Sequence, residues 1–256
     1  MGDAPNRGGV SRRWIIAEVE NSLRRLGTDW IDLYQMHRPD PETDFDETLG
    51  ALTDLVQQGK VRYIGSSSFS AGQIVEAQWA ARERRLERFR TEQPPYSLLV
   101  RGIELDVLPT AQRHGMGILT YSPLAGGWLS GSWTADSSPT SPARQRLAAR
   151  FDMSLAANQR KMDAVEELSV LAEEAGITLI DMALAFVIRH PAVTSAIIGP
   201  RTMEHLESQL PSADVTLSDD VLDRIDEIVP PGLDINPADG GWPHNPWLQP
   251  GARRRP

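Results

Sequence analysis

Several short segments that read as strands end in side chains able to do chemistry: His37 closes residues 30–36, Ser67 and Ser68 follow 61–65, and Gln93 ends 89–93. Tyr121 and Ser122 close residues 117–121, and Gly199, Arg201 and Thr202 follow 193–198. A histidine at a strand exit is either a hydrogen-bonded structural residue or a group that acts on a substrate. Ser and Gln side chains both donate and accept, which suits an amide or phosphate ligand, and Tyr121 offers a flat face for stacking. Residues 199–209 read as a helix opening directly off a strand. Its free N–H groups, with Arg201, make either an ordinary helix start or an anion site. His114, His190 and His244 lack metal-ligand spacing and there is no cysteine, so no metal site is expected.

These exits need elements to hold them in register. In residues 11–27, Ile15, Ile16, Val19, Leu23 and Leu26 recur at three- and four-residue spacing, an amphipathic helix with Ser11 as N-cap candidate and Gly27 as its left-handed stop. A strand over 30–37 follows, stopped by Arg38-Pro39-Asp40-Pro41. The unit then repeats: helix 46–58 and strand 61–65, helix 71–85 and strand 89–93, helix 103–114 and strand 117–121. Helices 155–174 and 179–189 precede strand 193–198, and helices 203–209 and 218–228 come last.

Strands separated by helices require parallel pairing with helices packed outside. No Gly-x-Gly-x-x-Gly follows a strand, which disfavours a dinucleotide-binding doubly wound sheet and favours a (β/α) barrel. About 250 residues is a whole barrel of eight strands, yet five are legible. An open arc would expose strand edges. The pattern also begins with a helix, so the chain is expected to hold only about five of eight strand-helix units, strands 4 to 8, lacking about 90 residues at roughly 30 per unit.

The remaining segments are loops. Residues 1–10 read as a loop remnant and 130–150 as a flap on the strand-exit side. The tail 231–256, with Trp242 and Trp247, either covers the same mouth or is a loosely packed terminus. With 26 basic and 35 acidic side chains, the net charge of −9 disfavours nucleic acid. The arginines of residues 82–90 fit a solvated, dipole-favoured face. No apolar run is long enough to span a membrane and no signal peptide is legible, so a cytoplasmic protein without membrane or nucleic-acid partners is expected.

Residues 24–40, Arg-Arg-Leu-Gly-Thr-Asp-Trp-Ile-Asp-Leu-Tyr-Gln-Met-His-Arg-Pro-Asp, resemble the aldo-keto reductase signature around its catalytic histidine. Residues 59–69 (Gly-Lys-Val-Arg-Tyr-Ile-Gly-Ser-Ser-Ser-Phe), 121–127 (Tyr-Ser-Pro-Leu-Ala-Gly-Gly) and 197–202 (Ile-Ile-Gly-Pro-Arg-Thr) fall in that family's order, so the resemblance covers most of 11–230. It implies part of an eight-stranded (β/α) barrel that reduces an aldehyde or ketone with NADPH. By the same resemblance, His37 orients the carbonyl, Ser67, Ser68 and Gln93 bind the nicotinamide carboxamide, and Tyr121 stacks on the ring. Ser122, Pro123, Leu124, Ala125 and Gly126 match the pyrophosphate loop. Gly199, Arg201, His205 and Gln209 match the positions around the adenosine 2′-phosphate, with Arg144 on the flap as a further phosphate ligand.

Four positions depart from the family pattern: Gln209 stands for an Asn, Ser208 for a Glu, Ser68 for an Asn, and Gly131-Ser132 for Gly-Lys. They bear on cofactor affinity and on preference for NADPH. The family's proton-donating Tyr, with its Lys and Asp, lies on the first three strands and has no counterpart in this chain. Lys60 and Lys161 are the only lysines; one precedes its strand and the other lies in a helix. Loss of general acid catalysis alone is worth roughly 10²–10⁴-fold. Two functions therefore stand: an incomplete NADPH-dependent oxidoreductase, or a catalytically inactive NADPH-binding protein resembling the family's potassium-channel subunits. A phosphate-binding barrel lyase would leave Gln93 and Tyr121 without a role. The natural substrate and oligomeric state carry no signal in the sequence.

Overall fold

The computed structural model describes residues 8–131 and 147–241, which form two compact units. The first comprises residues up to Gln93 together with Asp106–Ile118. It opens with α1 (Arg12–Leu26), whose Ile15, Val19 and Leu23 are buried at four-residue spacing and whose stop, Gly27, is left-handed at φ 66° as its place predicts. Ser11 stands at the N-cap in extended conformation, without a side-chain bond to the helix.

Strands β1 (Ile31–Met36), β2 (Val61–Ser67) and β3 (Thr91–Gln93) pair in parallel and in chain order, with α2 (Phe45–Gln57) and α3 (Ala71–Arg84) between them. β3 also pairs with the first two residues of β4 (Gly117–Tyr121), through Thr91↔Gly117 and Glu92↔Ile118. Leu49, Leu52 and Leu55 of α2, Ile74 of α3, Ile64 of β2 and Phe89 are buried. A Cβ on Gly65 would come within 2.1 Å of Thr91 Oγ1 and 3.0 Å of Thr91 O, so only glycine admits the close approach of β2 to β3.

α3 is fastened by a capping box, in which Ser70 Oγ accepts from Gln73 N–H while the Gln73 side chain accepts from Ser70 N–H. Ser70→Ala is expected to lower stability by about 1 kcal/mol. Urea unfolding monitored by far-UV circular dichroism measures it, and a shift under ~0.3 kcal/mol would show the cap to be idle.

The expected helix over 103–114 is divided. A 3-10 turn covers Gly102–Glu104, and α4 runs Val107–Arg113. Pro109 explains the break: within one continuous helix its ring would strike the carbonyl of residue 105, whereas a restart at Val107 puts it in the first turn.

The second unit comprises Pro94–Leu105 and the described residues from Leu119 to Gly241. Here Leu119–Tyr121 of β4 pair in parallel with β5 (Ser195–Ile197). Its helices are α5 (Ala156–Glu174), α6 (Leu179–Arg189), the five-residue α7 (Met203–Glu207) and α8 (Asp219–Ile228). The last strand and helix differ from expectation. β5 covers only Ser195–Ile197, and α7 starts at Met203 as expected but ends at Glu207, so Gly199 lies in a connecting loop rather than at the mouth of a helix. Among the described residues, then, the fold is α/β with five parallel strands, in the order the sequence predicts.

Candidate active site

In the first unit β1, β2 and β3 run the same way, so the residues ending them gather at one end. His37 follows β1, while Ser67 and Gln93 are register partners at the ends of β2 and β3. Ser67 Oγ donates to Gln93 O at 2.9 Å, and Ser68 N–H donates to the same carbonyl at 3.2 Å. Arg38 joins the group: its Nη1 donates to His37 O at 2.6 Å and to Ser67 Oγ and Ser68 Oγ, each at 3.3 Å. The structure thus brings together four of the expected residues and adds a fifth, Arg38, whose sole mark in the sequence is its place after His37.

His37 is exposed at the surface of this group, yet partial desolvation and then the adjacent Arg38 cation hold its imidazole below the ordinary histidine range. At neutral pH the ring is therefore uncharged and offers one N–H donor, the form needed to hydrogen-bond a carbonyl oxygen.

Behind the serines lies Glu92, fully buried in β3. It accepts from Ser66 Oγ and, at 3.1 Å, from Phe69 N–H. Burial pushes its carboxyl up to about 7, against the opposite pull of Ser66, the Phe69 and Ser68 amides, and Arg38. Ser68, between these partners, is left-handed at φ 58°. Nothing in the sequence marked Glu92 beyond the oddity of an acid inside a strand buried on both sides.

In the second unit Tyr121 and Ser122 close β4, and the loop after it turns sharply. Left-handed φ values occur at Ser122 (58°), Ala125 (50°), Gly126 (71°) and Gly127 (105°). Pro123 and Ala125 are buried, Leu124 half-buried and Gly126 exposed. A Cβ on Gly126 would lie 3.1 Å from the Phe151 ring, which itself stacks on Trp128 at 6.2 Å, so the loop rests on an aromatic pair. Gly199, Arg201 and His205 are exposed, whereas Gln209 is buried. The side chain of Thr202, not a ligand, satisfies the His205 N–H of α7. Arg144 lies outside the described residues.

Both lysines of the chain are already engaged. Lys60 Nζ pairs with Glu20 at 2.5 Å, and Lys161 Nζ pairs with Asp239 at 2.7 Å with no exposure. Tyr34 and Tyr96 are pushed above the ordinary phenol range by burial, the reverse of what a proton donor of depressed pKa requires. Among the described residues no three His, Cys, Asp or Glu side chains are grouped to hold a metal ion, and no helix is long and apolar enough to cross a membrane.

The model of the aldo/keto reductase family matches residues 1–230. The chain belongs to that family. An oxidoreductase of Bacillus subtilis (strain 168), YrpG, is 40% identical over 229 residues, which is 89% of this chain and 68% of that protein. Versiconal hemiacetal acetate reductase of Aspergillus parasiticus is 32% identical over 228 residues, 88% of this chain and 65% of the relative. A protein of Arabidopsis thaliana named "Probable voltage-gated potassium channel subunit beta" is 34% identical over 234 residues, 89% of this chain and 70% of its own length. Proteins named as oxidoreductases and one named as a probable channel subunit thus stand side by side among the relatives of this member of the family.

Proposed function

We propose that this chain is an aldo/keto reductase polypeptide that binds NADPH and presents a small aldehyde or ketone to it. The observation that carries the reading is the gathering of His37, Ser67, Ser68 and Gln93 at the exits of three adjacent parallel strands, the first three joined through Arg38 and the serines to Gln93 through its carbonyl. The side chains fit a nicotinamide: the Gln93 amide and the Ser68 hydroxyl, both neutral, are of the type that donates to and accepts from a carboxamide, while Ser67 Oγ, whose proton goes to Gln93 O, can accept. In the second unit the alternation of left-handed residues, Ser122, Ala125, Gly126 and Gly127, with right-handed Leu124 is a backbone shape that collects amide N–H groups into an anion-binding concavity, which suits a pyrophosphate. Tyr121 is assigned to the nicotinamide face; Arg201, His205, Gln209 and Arg144 are assigned to the adenosine phosphate. The five strands correspond in this reading to the last five units of a (β/α)8 barrel.

When bound, NADPH supplies a hydride to the carbonyl carbon. The chain's own part begins with His37, whose neutral imidazole donates a hydrogen bond to the carbonyl oxygen and so orients and polarises it. Ser67, Ser68 and Gln93 fix the ring by its carboxamide, which sets the face presented to the substrate.

A second reading, an NADPH-binding protein without turnover, is favoured by the lysines and tyrosines: both lysines are paired elsewhere, and two of the four phenols are held above their ordinary range. Fluorescence titration of the purified chain with NADPH tests both. Saturable enhancement, weakened about tenfold in Gln93→Ala by loss of a hydrogen bond worth ~1.4 kcal/mol, is expected. No binding removes both readings. Consumption of NADPH with an aldehyde, abolished in His37→Ala, selects the reductase; binding without consumption selects the second.

A further inference from the structure

We propose that Glu92 is a positioning residue: through Ser66 Oγ and the Phe69 N–H, its buried carboxyl group fixes the left-handed turn at Ser68 and so sets the two serine hydroxyls that meet the carboxamide. This rests on the nicotinamide reading of the preceding subsection and assigns the group behind it that gives it shape.

Burial makes an acid an expensive occupant here, since an apolar side chain of the same size would fill the place without desolvation cost. What an apolar residue cannot do is accept hydrogen bonds. The Phe69 N–H lies past the last register pair of β2 with β3, Ser67↔Gln93, and is itself buried. A buried amide left without an acceptor is costly, and Glu92 supplies that acceptor from within β3. Its other oxygen takes the Ser66 hydroxyl, whose residue is its register partner across the strands.

The turn held in this way is one a serine enters only when its surroundings impose it, because a left-handed φ crowds the Cβ. Ser67 and Ser68 are then near enough together for the single Nη1 of Arg38 to donate to both. Arg38 also draws on Glu92 electrostatically, so the cation that holds the two serine hydroxyls and the buried acid behind the turn act on one another.

Three variants test this, Glu92→Gln, Glu92→Leu and Ser66→Ala, with NADPH titration and hydrogen exchange at the Ser68 and Phe69 amides as readouts. Glutamine retains the function: its carbonyl accepts from Phe69 and its amide donates to Ser66 Oγ, freeing that hydroxyl for Thr91 O, 3.4 Å away. Glu92→Gln should therefore bind NADPH within about threefold of wild type, while Glu92→Leu should lose about tenfold or more, with faster exchange at Phe69. Ser66→Ala, the milder variant, serves where the leucine protein does not fold and should show the same two changes in smaller degree. Leu55→Ala, a buried change in α2, should lower stability while leaving both readouts as in wild type, which separates positioning from general loosening. Wild-type affinity in Glu92→Leu or Ser66→Ala, or unchanged Phe69 exchange in them, overturns the inference. If the unaltered chain binds no NADPH, the nicotinamide reading falls and the positioning role with it, although exchange at Phe69 still reports whether Glu92 holds the turn.

Discussion

Lys161→Ala is expected to lower the unfolding free energy by about 3–5 kcal/mol, the usual cost of stripping one partner from a buried ion pair. Lys161 has no exposed side-chain surface, and its ammonium donates to Asp239 Oδ2 at 2.7 Å and to Arg150 O at 2.9 Å. It also lies 4.3 Å above the centre of the Trp128 ring, a desolvated cation–π contact of about 2 kcal/mol. Burial lowers the lysine's pKa, while Asp239 works against that shift. Without the lysine, Asp239, only 3% exposed, keeps one cationic partner, Arg150. Urea unfolding at constant m measures the loss. Lys161→Met with Asp239→Asn should cost less than the two single changes together, by about 1–3 kcal/mol. Simple additivity would mean that packing on Trp128, not the ion pair, holds the C-terminal segment to α5.

The sequence carried a sign of this lysine that spacing alone could expose. Asn158, Lys161, Val165, Leu168 and Ala172 fall on one stripe of α5, and all are buried. Two polar residues in a core stripe call for partners, but those partners, Asn236 and Asp239, stand 78 residues further on, where no local pattern points. The strand and helix order was legible because each unit pairs with neighbours that obey the same periodicity. Boundaries were less so: Pro109 could have divided residues 103–114 beforehand, since its missing N–H and ring clash are local properties. In the site, His37, Ser67, Ser68 and Gln93 were readable as strand-exit residues. Arg38 and Glu92 act across strands, through contacts 23 to 30 residues apart, and so left no local trace.

The same logic of distant partners gives the other large effect, at Arg101. Its guanidinium, with 5% of the side chain exposed, donates to Glu104 at 2.9 Å, to Asp226 at 2.7 Å and to Val229 O at 2.6 Å, and it lies 5.1 Å from the centre of the Phe186 ring. Glu104 also accepts from the Tyr96 phenol at 2.6 Å and from Gly232 N–H at 3.1 Å, so segment 96–104 is bound to the end of α8 and the chain beyond it. Arg101→Ala should cost about 3–5 kcal/mol. Asp226, nearly half exposed, can return to water; the loss falls on Glu104 and on the Val229 carbonyl. Arg101→Lys should recover less than half, because a single ammonium cannot span three acceptors set for a planar fork. Tyr96→Phe should cost less than the alanine change, about 1.5–3 kcal/mol, as Glu104 keeps its cation. Its effect should also be non-additive with Arg101→Ala, since both residues serve one carboxylate. Chemical denaturation of wild type, the three single variants and the double variant decides the order. A lysine variant as stable as wild type would show that charge alone, rather than the fork, fastens this part of the second unit.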